Sequence, residues 1–283
     1  MSLRFPSLTP LAYFAMLVQS DEHFPLLEAA ACVAQDDYPD ADPQQVLGDV
    51  DQLLARLKRR LPAGASALQK LQWLNQFFFA ELGFAGNVNN YYEPDNSYLH
   101  AVLRTRRGIP ITLALLWLEL AQGVGLKAQG VGFPGHFLMK VNLSGGQVVI
   151  DPFNGRSLGR EELAERLEPF RQVSGLMGEF EAPLGLYLQA AQPREVLARL
   201  LRNLKEIHRA QRDWARMVAV QDRLVTLLPE SWGEYRDRGL AHAEQGDDRR
   251  AAPDLEIYLR HALDAQDLDA VAARLADLRG ARP

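Results

Sequence analysis

Between Gly108 and Gly123 the chain carries a helix-length run with a single charged residue, Glu119. Pro110 suits its first turn, where a missing N–H costs nothing and φ is already set for a helix. Gly123 and Gly125 close its other end. A helix apolar on almost every face is stable only when other elements surround it. The apolar run Ile109 to Leu118 is too short to cross a bilayer, which takes about 20 residues. The rest of the chain is therefore expected to wrap this helix in a water-soluble fold.

The wrapping elements can be read on both sides of it. From Thr9 to about Leu82 apolar residues recur three and four apart, in Leu26-Leu27-Ala30-Ala31, Val46-Val50-Leu53-Leu54-Leu57 and Leu68-Leu71-Leu74-Phe78; this spacing predicts three amphipathic helices. Asp42-Pro43 supplies the cap and first-turn proline of the second. After Gly83 the composition changes: Asn87, Asn89, Asn90, Pro94, Asp95 and Asn96 crowd a segment that also holds Tyr91, Tyr92 and Tyr98. So many aromatics predict a structured loop, with Asp95 or Asn96 capping a short helix through Leu103. Past the apolar helix, Ala128–Phe133, Phe137–Leu143 and Gln147–Asp151 read as strands, with Ser144-Gly145-Gly146 as a hairpin turn. Helices return beyond Gly159. The fold class is α+β, predominantly helical, with a small antiparallel sheet.

The last third repeats. Starting near Trp232, Gly239, Ala251 and Tyr258 fall at the eighth, twentieth and twenty-seventh positions of a tetratricopeptide unit, whose period is about 34 residues. One period earlier the glycine and alanine positions hold Lys205 and Met217. Pro253 is expected within the first turns of its helix, since an interior proline costs about 3 kcal/mol. Two units are fewer than the roughly three a free-standing solenoid needs. Residues 191–283 are accordingly expected to form a repeat module docked on a first domain of residues 1–190.

Charge narrows the partners. With 31 basic against 36 acidic residues, the chain lacks the basic excess that nucleic acid demands. The short runs Lys58-Arg59-Arg60 and Arg104-Thr105-Arg106-Arg107 read as solvated helix ends, with anion patches as the alternative. The single cysteine, Cys32, excludes an internal disulfide and a cysteine-based zinc cluster. The first residues, Met1 to Pro6, lack the charged and apolar regions of a secretory signal. A cytoplasmic protein without metal, cofactor or membrane association is expected.

Chemistry-bearing residues gather around the hairpin. His136 begins one strand after Pro134-Gly135, and Asp151 ends the partner strand before Pro152. On adjacent antiparallel strands an aspartate can fix a histidine's tautomer and orientation. Spacing alone leaves a bland reading open, in which His136 is a rim residue and Asp151 a strand terminator.

Several blocks in order carry a resemblance: Asn89-Asn90-Tyr91-Tyr92, Asn96-Ser97-Tyr98-Leu99, Arg107-Gly108-Ile109-Pro110-Ile111-Thr112-Leu113, Gly132-Phe133-Pro134-Gly135-His136-Phe137 and Asp151-Pro152-Phe153-Asn154-Gly155. With its helical flanks the chain resembles the bacterial Sir-B-type proteins, which join a transglutaminase-like, papain-like core to tetratricopeptide repeats. The resemblance implies that His136 and Asp151 occupy the places of the catalytic pair. It also puts Pro110 where the family's cysteine stands at the start of the buried helix, and proline cannot be a nucleophile.

Two substitutes are open. Thr112 lies in the same turn, although its hydroxyl has a plain role in satisfying backbone groups there. Cys32 sits in a small-residue helix face, where a thiol usually just packs. Asn87, Asn89, Asn96 and Ser97 offer donors near the helix start, with turn formation as the alternative; Tyr91, Tyr92 and Tyr98 read as ligand platforms or as lids on the core. The expected function is recognition of a protein or peptide by a vestigial cleft, with the repeat helices as a second surface. The alternative is an amide hydrolase or acyl-transferase that uses His136 and Asp151.

Overall fold

The helix-start signals act where the sequence puts them. Thr9 accepts a hydrogen bond from Ala12 N ahead of α1 (Pro10–Leu17). After α2 (Leu26–Cys32) and a 3-10 turn, Val33–Asp36, Asp42 accepts from Gln44 N at 2.9 Å and Pro43 opens α3 (Pro43–Lys58). Ser66 and Gln69 cap α4 (Ala67–Asn75) reciprocally, and the helix widens into a π-helical turn, Gln76–Glu81. The computed structural model describes residues 8–174, 183–263 and 265–280.

The polar loop follows β1 (Ala85–Gly86) and closes with a 3-10 turn at Pro94–Ser97. Its helix, α5 (Leu99–Thr105), starts after Tyr98 with no side-chain cap. That corrects the expected Asp95 or Asn96 cap: the Asn96 amide is held inside the loop instead, on the carbonyls of Asn90 and Tyr91. The two-residue strand β2 (Arg107–Gly108) then pairs in parallel with β1, Gly86 opposite Gly108. Neither strand has enough residues to leave a periodic signal.

Helix α6 (Pro110–Gly123) is central. Leu113, Ala114, Leu116, Trp117 and Ala121 have no exposed surface, and each large side chain so buried contributes about 1.5–3 kcal/mol. Packed on it are α3, α4 and α5, with β3 (Ala128–Val131) and β4 (Leu138–Leu143). The Trp117 indole N–H donates to Asn75 Oδ1 at 2.9 Å, which lets a polar edge enter the core.

The sheet runs β3-β4-β5-β6 and is antiparallel throughout, with β5 (Gly146–Ile150) and the short, unanticipated β6 (Ser157–Leu158). Leu143 pairs with Gly146, so the hairpin turn is the two residues Ser144-Gly145 and Gly146 already belongs to the strand. Val131, Leu138, Val149 and Leu158 form a second cluster with Leu163 and Leu167 of α7 (Arg160–Ser174). A single turn, α8 (Leu184–Tyr187), follows.

The remaining helices are α9 (Pro193–Gln211), α10 (Trp214–Leu227), α11 (Trp232–Glu244), α12 (Asp248–His261) and α13 (Leu268–Gly280). Here the weak unit proves as regular as the strong one. Helices α10 and α12 start 34 residues apart and have 14 residues each. Asp213 N donates to His208 O at 2.9 Å and Asp247 N to His242 O at 3.0 Å, so each joint closes in the same way. Gly239 is required because an added Cβ would sit 2.8 Å from Leu255. At the equivalent place the Lys205 ammonium bonds Glu234 and Asp237, at 2.8 and 2.9 Å. Pro253 is the sixth residue of α12, in its second turn. It is exposed, as is Arg249, whose carbonyl loses the amide partner, so water can replace the missing bond.

Contacts divide the chain into two compact units. Leu26–Ala31 and Asp42–Val196 form one; the other comprises the described residues up to Pro25, Cys32–Ala41 and the helices from Leu197 onward. The N-terminal segments therefore group with the repeat helices, where the sequence placed them with the sheet. The cause is Arg223 on α10, which is fully buried: its guanidinium bonds Asp36 through two nitrogens, at 2.7 and 2.8 Å, and lies 5.0 Å from the Phe14 ring centroid. Among the described residues no helix is long and apolar enough to cross a membrane.

Candidate functional site

Two tight turns at one end of the hairpin aim His136 and Asp151 at each other. Pro134-Gly135 makes the first, with Gly135 at φ +67 and His136 N donating to Phe133 O at 3.1 Å; proline followed by a left-handed glycine suits such a turn. The second folds back on Asp151, whose carbonyl accepts from Gly155 N at 2.8 Å. The register Met139↔Ile150, continued past the strands, puts Asp151 opposite Leu138. His136 lies two residues before Leu138 and so on the same face. The expected pair is formed: His136 Nε2 is 2.8 Å from Asp151 Oδ1.

The carboxylate is held from three sides. Oδ1 also accepts Phe153 N at 3.0 Å, and Oδ2 accepts Arg166 Nη1 at 3.2 Å. Arg166 is oriented by Glu162, one turn earlier on α7, at 3.0 Å. Burial alone would raise the Asp151 carboxyl; the hydrogen bond and electrostatic pull of His136, the Phe153 N–H and the Arg166 guanidinium outweigh it, leaving the group below the usual carboxylate value. An ionised carboxylate only accepts, so Nε2 carries the proton and Nδ1 of a neutral His136 presents a lone pair. The imidazole is 25% exposed. A base so arranged can take a proton from a group brought to it.

Arg166 and Glu162 were not anticipated. Their only signal was the four-residue spacing of opposite charges on a helix, which many solvated helix faces share.

The first turn of α6 is tied to the same place. Gly86 N donates to Phe153 O at 2.8 Å while Gly86 pairs with Gly108, so the Asp151 turn and the start of α6 flank β1. A Cβ on Gly86 would sit 2.0 Å from the Phe153 ring, so this approach requires glycine. Pro110 is buried at the first position of α6. The Thr112 hydroxyl, also fully buried, reaches Asn96 O at 2.7 Å and Ile109 O at 3.0 Å. Its one proton is thus directed at backbone carbonyls.

The polar loop is largely committed to its own shape. Asn87 Nδ2 donates to Asn96 Oδ1 at 3.0 Å, and Asn87 Oδ1 accepts from Asn90 N at 3.2 Å. Ser97 is completely buried and its hydroxyl has no hydrogen-bond partner among the described residues. Tyr98 belongs to the core, at 2% exposure. Asn89, Tyr91 and Tyr92 are exposed, with the Tyr91 ring centroid 6.3 Å from that of Phe153. These three make a rim beside the Asp151 turn. Cys32 is fully buried at the end of α2 and falls in the compact unit that does not contain His136.

Comparison with known proteins adds three findings. The model of the transglutaminase-like superfamily matches residues 44–202, and that of the tetratricopeptide repeat matches residues 204–276. A UPF0162 protein of Xylella fastidiosa is 36% identical over 263 residues, 93% of this chain and 92% of its own length. A UPF0162 protein of Pseudomonas aeruginosa is 30% identical, covering 89% and 90%. Protein SirB1 of Salmonella typhimurium is 28% identical, covering 78% of this chain and 80% of its own. No solved structure matches.

Proposed function

We propose a recognition role without catalysis for this chain, which belongs to the transglutaminase-like superfamily and to the family of the bacterial UPF0162 proteins. The observation that carries the proposal is Pro110. The resemblance puts this residue in the family's nucleophile position, at a helix N-terminus whose free N–H groups and dipole would favour a thiolate. A prolyl ring offers no lone pair and no proton to exchange. Thr112 cannot stand in while its hydroxyl serves Asn96 O and Ile109 O, and Cys32 has no exposed surface from which to meet a substrate.

What remains is an oriented polar pair without a nucleophile. The His136–Asp151 pair, with the exposed Tyr91 and Tyr92 beside the Asp151 turn and Asn89 on the same loop, suits a peptide or protein segment. Aromatic rims bury area at low entropic cost, and the imidazole and loop amides can hold backbone groups. The repeat module supplies a second surface; such repeats commonly engage protein partners. The single cysteine accords with a reducing cytoplasm.

A second reading is favoured by one feature. The pair is fully assembled, with Arg166 and Glu162 behind it, and an oriented imidazole can activate water as well as a thiol. In that reading the protein hydrolyses an amide without a covalent intermediate.

The placement of Pro110 is tested by Pro110→Cys. At about pH 6 the new thiol should show more thiolate ultraviolet absorbance in the folded protein than in the denatured one, where an ordinary thiol is almost wholly protonated; this readout needs no reagent to reach a buried position. Equal absorbance would mean that residue 110 is not the nucleophile position.

A further inference from the structure

The basic run that closes α5 has a use that its reading as a solvated helix end does not cover. Arg104 and Arg106 converge with Arg56 of α3 around a cavity of about 280 Å³, whose walls also include His100, Asp49 and Leu53. The cations outnumber the anions. Among the described residues Arg56 and Arg106 form no ion pair, and Arg104 comes only within 3.8 Å of Asp95. Asp49, the one carboxylate in the wall, already accepts from Gln45 Nε2 at 2.9 Å.

The chain has gone to some length to keep Arg106 there. The residue caps α5 in the left-handed conformation, φ +61, where glycine or asparagine is the low-energy choice. Strain of this kind persists where surrounding structure enforces it and collects at functional places. Its guanidinium lies over the Phe84 ring, 4.6 Å from the centroid, and one of its nitrogens is buried with no hydrogen-bond partner among the described residues. Arg56 is likewise backed by an aromatic ring, that of Phe77 at 5.6 Å. Burial, and then the neighbouring Arg56 charge, disfavour the charged form of Arg106 and outweigh the opposing pull of Asp49. An unmet buried donor among like charges is costly, and a bound anion would remove both the repulsion and the missing bond.

We propose that this cavity binds a small dianion, a phosphate monoester or a dicarboxylate, clamped by Arg56, Arg104 and Arg106. Guanidinium forks match both kinds of oxyanion in bidentate geometry. The cavity's size favours a small molecule over a polymer. Leu53 gives the ligand's carbon skeleton an apolar contact. The site is built from residues of one compact unit and does not depend on whether the His136–Asp151 pair is catalytic.

Isothermal titration of the full-length chain with sodium phosphate and with sodium succinate, at fixed ionic strength, tests this. Saturable one-to-one binding of at least one probe is expected, weakened about tenfold or more by Arg56→Gln and by Arg104→Gln. Phosphate alone would point to a phosphate ester, succinate alone to a dicarboxylate, and both to the shared oxyanion chemistry. Arg104 is largely exposed, so Arg104→Gln should melt like the wild type and keep the test interpretable if Arg56→Gln does not fold. No saturable heat with either probe up to about 10 mM, or binding unchanged in Arg104→Gln, would overturn the proposal.

Discussion

Replacing Asp151 with asparagine should remove about 2 kcal/mol of stability near neutral pH and leave the difference strongly dependent on pH. The carboxylate accepts three hydrogen bonds, from His136 Nε2 and Phe153 N on one oxygen and from Arg166 Nη1 on the other. An amide keeps one accepting oxygen and turns an NH2 toward the remaining donors. At least one charge-assisted bond is lost, at about 1.5–3 kcal/mol. Arg166 is 33% exposed, so solvent screening discounts its part and the estimate stays near the lower end. The pH profile distinguishes a held carboxylate from a merely packed one. The folded Asp151 titrates below its unfolded value of about 3.9. Its contribution is therefore complete above that value, fades as pH falls through the folded pKa and vanishes below it. Urea unfolding of the wild type and Asp151→Asn at several pH values from about 7 down to about 2 measures this, because titrations common to both proteins cancel in the difference. A gap that is absent at pH 7, or that persists undiminished below pH 3, would refute the reasoning.

Two further substitutions test the framework around the site and the repeat unit. Gly86→Ala drives a methyl into the Phe153 ring; thermal unfolding should report a loss of about 1–3 kcal/mol, and NMR should report a weakened His136–Asp151 hydrogen bond. Asp36→Asn strips the fully buried Arg223 of its counter-charge and should cost about 3 kcal/mol in urea unfolding, with stability largely regained when Arg223→Met is added.

The parts of this fold that could be read from sequence are those with local causes. Asp42-Pro43 and Gly108-Ile109-Pro110 open helices because capping and proline geometry act within a few residues. The hairpin follows from alternation and glycine, and the pairing of His136 with Asp151 follows from its register. What escaped depends on distance along the chain. Arg166 reaches Asp151 from a helix whose own pattern says nothing of the sheet. The segments holding Phe14 and Asp36 join the repeat helices through an arginine almost two hundred residues later, at sequence separation 187. Asn96 failed as a cap because its Oδ1, the atom a cap would use, accepts from Asn87 Nδ2 while its NH2 goes to neighbouring carbonyls, a choice made by loop closure rather than by residue type. The weak repeat unit lacks the small residues of its motif, yet it keeps the Asp213 joint that fixes the period.

Whether this protein has given up chemistry is tested most directly by incubating the wild type and His136→Ala with glutamine-bearing peptides and simple amides, and following release and protein mass together. Loss of the nucleophile predicts equal background release from the two proteins and an unmodified chain mass. Release that depends on His136, or a covalent adduct mapped to Thr112 or Cys32, would contradict it.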